Sequence, residues 1–145
     1  RAYGVETIRR PKILARDDTP TLPALQHAVR EMEQRVGKPF DYIIEIRCTS
    51  PLKTAEDVRA CAELLWQSGA ESVIGITLLE DHHPARAKRL INGMIRPFCV
   101  PEPVSGRRQD LSPKAYIRNG TCYALRREAL MGPDAMLFGH KHSLG

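Results

Sequence analysis

Aromatic residues are scarce in this chain, at 6% with a single Trp. Surfaces that bind nucleic acid by stacking interleave aromatics with a strong basic stripe, so a nucleic-acid partner is not expected. Long apolar runs are missing as well. The longest, Val73 to Leu79, falls far below the roughly 20 residues that span a bilayer, and no basic-then-apolar leader opens the chain. The ten glycines never cluster, which removes both the G-x-x-x-x-G-K-[ST] loop and the G-x-G-x-x-G turn. Nothing in the sequence cradles a triphosphate by those means, and no nucleophile elbow or Ser-His-Asp order is visible. Cys48, Cys61, Cys99 and Cys122 form no C-x-x-C pair, which argues against zinc and against a disulfide framework. Three of them sit in apolar segments and read as small buried thiols in a reducing, cytoplasmic setting.

What is present suits an ordinary globular domain. A length of 145 residues, 27% charged and 42% hydrophobic, predicts one domain, 1–145, with a real core. The formal charge of +5, from 22 basic against 17 acidic residues, favours anionic ligands only weakly. The chain opens on Arg and stops at Ser143-Leu144-Gly145 without a recognisable final element, so it reads as a piece of a longer product.

Elements alternate along the chain. Thr21 is placed as an N-cap, with Leu25, Ala28, Val29, Met32 and Val36 at helical spacing and Gly37 as the stop. Asp41 to Cys48 is nearly continuous and apolar, as in a strand buried on both faces. Thr54 caps a second helix whose inner face is Val58, Cys61, Ala62 and Leu65, and Gly69 ends it. Ser72 to Leu79 follows as a second buried strand. Strand, helix, strand in this order predicts a βαβ unit, a parallel sheet and the α/β class. Short β-prone pieces over Lys88 to Phe98, a strand over Tyr116 to Leu125 and a short helix from Arg126 to Met131 complete the pattern.

Three places carry candidate chemistry. Arg107-Arg108-Gln109-Asp110 lies in a Pro-bounded loop ahead of Asn119-Gly120. Guanidinium groups capture carboxylate or phosphate in a planar, bidentate fashion, and a carboxamide offers both donor and acceptor to hydroxyls. A pocket for an acidic, hydroxyl-rich small molecule and a solvated basic loop are both open readings. Glu45 and Arg47 share a face near the end of a strand, where a charged pair must satisfy itself or meet a ligand. Thr49 and Ser50 add hydroxyls just beyond, as caps or as ligand contacts. In Asp81-His82-His83-Pro84-Ala85-Arg86 the neighbouring imidazoles diverge, so a pH-sensitive structural or substrate-facing turn is favoured over a metal site. His140 and His142 read as surface residues.

Taken together, these segments resemble the acylneuraminate cytidylyltransferase family, whose members make CMP-activated sialic acids. Thr49-Ser50-Pro51-Leu52-Lys53-Thr54-Ala55-Glu56-Asp57 is similar to its TSPLR-T-x-x-D segment, and Asp81-His82-His83-Pro84 to its HHP turn. Arg108-Gln109 and Asn119-Gly120-Thr121-Cys122-Tyr123-Ala124 are similar to its RQ and NGAIYA segments. The four occur in the family's order from about Tyr42 onward.

The resemblance implies a mostly parallel, Rossmann-like sheet. It also implies a reaction: CTP and an α-keto sugar acid give the CMP-sugar and pyrophosphate, with magnesium required. Arg47, Arg108, Gln109 and Asn119 would line the sugar-acid pocket, with Thr49 and Ser50 shaping its floor. Arg86 would fall where the family places a Lys that reaches a partner subunit's pocket. Residues from about 82 to 116 would form a sugar-binding and dimerisation segment, so a homodimer is implied.

The chain departs from the family in having Arg47-Cys48 where Gln-Pro is usual and Arg86 in place of Lys. It has no counterpart of the family's N-terminal phosphate loop or C-terminal acidic metal motif. No metal ligand and no catalytic residue is therefore assigned, and the chain alone is expected not to turn over CTP. A non-catalytic sugar-acid or nucleotide-binding module is the alternative reading. The identity of the acid is not legible from these residues.

Overall fold

The computed structural model describes residues 3–138 and 141–145; His140 lies outside them. Contacts divide the chain into two compact units, residues 1–75 with 120–145, and residues 76–119. The class is α/β. One four-stranded sheet has the order β1-β5-β2-β6, and a separate hairpin pairs β3 with β4.

In the first unit, α1 spans Thr21–Val36 and ends at Gly37, whose φ of 78° is the left-handed conformation that glycine adopts without a Cβ penalty. The helix entry differs from the expectation: Pro20 stands at the N-cap position and no side chain caps it, so Thr21 is the first helical residue. Helix α2, Ala55–Ser68, begins as expected, with a complete capping box between Thr54 and Asp57 and a left-handed Gly69 at its end. The Thr54 N–H and hydroxyl hold the Asp57 carboxyl below its usual range. A box of this kind stabilises a helix by about 0.5–2 kcal/mol.

Strand β1 is Tyr42–Glu45, shorter than the expected Asp41 to Cys48, because the chain turns where Ser50 N–H donates to the Arg47 carbonyl. It lies at an end of the described sheet and alternates exposed with half-buried residues, so the expected burial on both faces does not hold. Its apolar pattern comes from Tyr42 and Ile44, which with Ala62, Leu65 and Trp66 line an open apolar groove of about 360 Å³.

Strand β5, Ala115–Arg126, is buried on both faces over residues 122–125. Cys122 and Ala124 pack with Leu65, Ala70 and Val73, against Val58 and Cys61 of α2. Tyr123 and Leu125 pack with Ile74 and Leu137, against Leu25 of α1. Alternate side chains of a strand point to opposite faces, so this one segment serves both cores. Strand β2, Ser72–Leu79, is buried only over Ser72–Ile74.

β1 runs antiparallel to β5, with Glu45 opposite Tyr123. The short β6, Ser143–Leu144, runs parallel to β2. The sheet is thus mixed, and β5 lies between the two strands of the expected βαβ unit. Ser143 and Leu144, read from sequence as having no element, pair with Ser72 and Val73. Helix α3, Arg127–Met131, is tied to α1 by a two-pronged ion pair, Arg127 Nε to Glu33 Oε1 at 2.6 Å and Nη2 to Oε2 at 3.0 Å. That pair, with the Phe40 N–H, holds the Glu33 carboxyl below its usual range.

In the second unit β3, Lys88–Ile91, and β4, Met94–Pro97, form an antiparallel hairpin. Asn92 and Gly93 make its turn with φ of 50° and 78°, the positive-φ pair that matches strand twist in a two-residue loop. No helix of the described residues is long and apolar enough to cross a membrane.

Candidate functional site

The first unit gathers Glu45, Arg47, Ser50, Lys53, Gly120 and Tyr123 around the end of β1. The Glu45 and Arg47 side chains follow each other off one face of the strand, and Arg47 Nε donates to Glu45 Oε1 at 3.1 Å. Of the two readings left open by the sequence, the mutual ion pair is satisfied at that oxygen. Glu45 Oε2 is buried and has no hydrogen-bond partner among the described residues. A buried acceptor left unmade costs about 1–3 kcal/mol, and more when charged.

The Arg47 guanidinium also lies over the Tyr123 ring, 4.7 Å from its centroid. Tyr123 is itself packed at an interplanar angle of 40° against Phe138, so the face that holds Arg47 is fixed by the core. The Arg47 carbonyl accepts from Lys53 Nζ, which pins the loop of the Thr49-Ser50-Pro51-Leu52-Lys53 segment.

Gly120 sits against the same loop. A Cβ built there would stand 2.9 Å from the Ser50 hydroxyl, and φ is +72°. Two of the segments singled out by sequence, 49–57 and 119–124, therefore touch at Ser50 and Gly120. Ser50 is half-buried and Thr49 exposed.

The second unit holds the other candidates. Arg108 is exposed, with Nη1 at 3.3 Å from Glu80 Oε2 and 3.7 Å from Asp81 Oδ1. Arg107 folds back on Asp110 through Nε at 2.8 Å and Nη2 at 3.2 Å. The Ser105 hydroxyl and this guanidinium hold the Asp110 carboxyl low. One of the loop's two guanidiniums is thus engaged locally. Gln109 is exposed, and Asn119 Nδ2 donates to Thr77 Oγ1 at 3.1 Å.

Arg86 braces a loop: Nη2 donates to the Gly106 carbonyl at 3.0 Å, and Nε lies 3.6 Å from Glu102. Glu102 also takes Lys88 Nζ at 2.9 Å, which holds its carboxyl low. His83 is buried and His82 exposed, as divergent neighbours must be. The Ala85 N–H donates to His83 Nδ1, so the proton resides on Nε2 and is donated to the Pro113 carbonyl at 2.8 Å. His83 therefore organises the turn.

Sequence reasoning missed a thiol pair. Where three buried thiols are expected, only Cys122 is buried; Cys61 is half-buried, and Cys48 and Cys99 are exposed. Cys61 packs against the core cluster that holds Cys122, and the neighbouring Cys122 thiol lowers the Cys61 pKa to about 7 from the ordinary 9.0. Cys122 is held protonated, its pKa raised by the neighbouring Cys61 and by burial. Helical spacing in α2 and strand alternation in β5 each placed one cysteine on the shared core, but no local signal joins residues so distant in sequence.

The folded pKa of Cys61 is depressed, so its thiolate contributes stability at alkaline pH that is lost as pH falls through about 7. Alkylation of Cys61 by iodoacetamide, followed by mass spectrometry, is expected to titrate near pH 7. Cys122→Ala removes that thiol and should move that midpoint up towards 9. An unmoved midpoint would show that Cys122 does not set it.

No protein-family model matches this chain.

Proposed function

We propose that the chain is part of a cytidylyltransferase that activates a nonulosonic, sialic-type sugar acid, with a mostly parallel, Rossmann-like sheet in the whole enzyme and a homodimer as its working form. In this reaction the anomeric hydroxyl of the acid attacks the α-phosphorus of CTP and pyrophosphate leaves. Catalysis of such a transfer consists mainly of positioning the two reactants and neutralising charge.

The observation that carries the reading is the contact between the segments of the resemblance in the first unit. Gly120, bare of a Cβ, lies against the Ser50 hydroxyl, and Arg47 is stacked on Tyr123 beside it. A guanidinium held over a buried ring, 4.7 Å from its centroid, is positioned before any anion arrives, so little freedom is lost when it binds a carboxylate. Arg108, Gln109 and Asn119 present anion- and hydroxyl-binding groups on the second unit. The hairpin exposes Leu90 with Ile95 on one face and Ile91 with Met94 on the other, and either apolar pair could meet a second copy of the chain.

Magnesium finds no fit here: among the described residues no three His, Cys, Asp or Glu side chains are grouped to hold a metal ion. What these residues supply is binding of the acid, and no step is routed through a metal.

The test is incubation of the complete gene product with CTP, magnesium and a panel of α-keto sugar acids, with CMP-sugar read by mass spectrometry. One acid is expected to give the adduct, and Arg47→Ala to raise its KM by about 10- to 100-fold, the worth of a charge-assisted hydrogen bond. Binding of an acid with no adduct would favour the non-catalytic module. No binding and no adduct from a folded protein would sink both.

A further inference from the structure

The unpartnered oxygen of Glu45 is the detail that the proposed function leaves unused. Its side chain is 9% exposed and that of Arg47 34%. Arg47 Nε is engaged by Glu45 Oε1, while the two Nη groups take no hydrogen-bond partner among the described residues. An acceptor at Oε2 and donors at Nη therefore stand side by side on one ion pair, bridged by a contact of 3.1 Å.

A ligand that matches this pair carries the inverse pattern on adjacent atoms: an anionic acceptor for the guanidinium and an O–H donor for the carboxylate. An α-hydroxy carboxylate has that pattern. A simple carboxylate lacks the donor, and a phosphate dianion would set its charge against Glu45. In the ring form of an α-keto sugar acid, the carboxylate and the anomeric hydroxyl are borne on one carbon, as the pair requires.

We infer that Glu45 is a specificity-determining residue, whose Oε2 accepts the anomeric hydroxyl of a sugar acid while Arg47 binds the carboxylate beside it. This rests on the sugar-acid reading given above. Arg47 is the more exposed partner, so the anion is met first and the hydroxyl is read second. Tyr123 fixes the position of the guanidinium over its ring and, through the β1–β5 register that sets Glu45 opposite Tyr123, fixes the carboxylate against it. The hydroxyl thereby becomes the test of the correct ligand, since an acid whose anomeric oxygen is blocked leaves Oε2 buried and unmade.

The probes are N-acetylneuraminic acid and its two 2-O-methyl glycosides, titrated calorimetrically into the full chain. The wild-type protein is expected to prefer the free acid over both glycosides by about 10- to 100-fold. Glu45→Gln keeps an oxygen for Arg47 but presents an NH₂ donor where Oε2 stood, so its preference should fall to within about threefold of unity. Thermal melts followed by circular dichroism establish that the variant is folded; if it is not, the glycoside comparison on the wild-type protein decides alone. Equal binding of acid and glycosides by the wild-type protein would overturn the role of Glu45 and leave the sugar-acid reading standing. An unchanged preference in a folded Glu45→Gln protein would do the same. Binding of none of the three probes would overturn the role proposed for Glu45 toward this acid, and the panel of acids with CTP described above then decides the sugar-acid reading separately.

Discussion

Gly120→Val is expected to destabilise the protein by about 2–5 kcal/mol, from a left-handed backbone costing roughly 1–2 and forced overpacking costing about 1–3. The two parts have separate causes. At φ +72° any Cβ is strained by its own backbone, and here it would also stand 2.9 Å from the Ser50 hydroxyl. Ser50 is a short side chain on a loop fixed by hydrogen bonds to the Arg47 carbonyl, so it cannot swing clear as a long side chain would. Urea denaturation measures the loss as a lower midpoint at unchanged slope. Pairing the change with Ser50→Gly should return the steric part and leave the backbone part, a partial rescue that a double-mutant cycle resolves. Full rescue would mean that the φ angle carries no cost. No loss at all would mean that the Gly120–Ser50 approach is absent in solution.

Leu125→Ala is expected to cost about 2–5 kcal/mol, the range for removing a buried leucine without local collapse. Leu125 is fully buried among Ile74, Tyr123 and Leu137, with Leu25 behind them. Strand β5 is held on both faces, so the sheet cannot move to close the void on one side without opening the other core. For a chain of this size the loss corresponds to a fall of roughly 5–15 °C in Tm. Leu52→Ala, at a residue 93% exposed, is the control and should change Tm by no more than about 1–2 °C. A similar small change at Leu125 would contradict the packing of this face.

Much of the fold is legible locally. Gly37 and Gly69 both end helices in the left-handed conformation, and Thr54 and Asp57 form the box that their spacing announces. These signals act within one turn of the chain, so neighbouring residues suffice to reveal them. The placement of strands is decided elsewhere. Asp41 to Cys48 is rich in isoleucine and reads as a central strand, yet β5 takes the position between β1 and β2. What sets its place is the pairing of small Cys122 and Ala124 on one face with large Tyr123 and Leu125 on the other, which fits two unlike cores. That preference is a property of partners distant in sequence. The candidate site divides in the same way. Arg47 and Ser50 were visible as residue types, but the ring beneath Arg47, the missing Cβ beside Ser50 and the orphaned oxygen of Glu45 depend on β5 crossing the end of β1.

The hairpin of β3 and β4 presents every residue of both strands to solvent. An isolated two-stranded ribbon gains little from its own burial and is marginal in water. Its opening breaks a short ladder and disturbs neither hydrophobic cluster of the first unit, so it constitutes a separate cooperative step with its own small free energy. Amide protons of Lys88 to Arg96 would then exchange with solvent through local fluctuation while those of Cys122 to Leu125 wait for global unfolding. A surface that covered the hairpin would slow the first class of protons and leave the second unchanged, so exchange kinetics along this one ribbon would report on its occupancy.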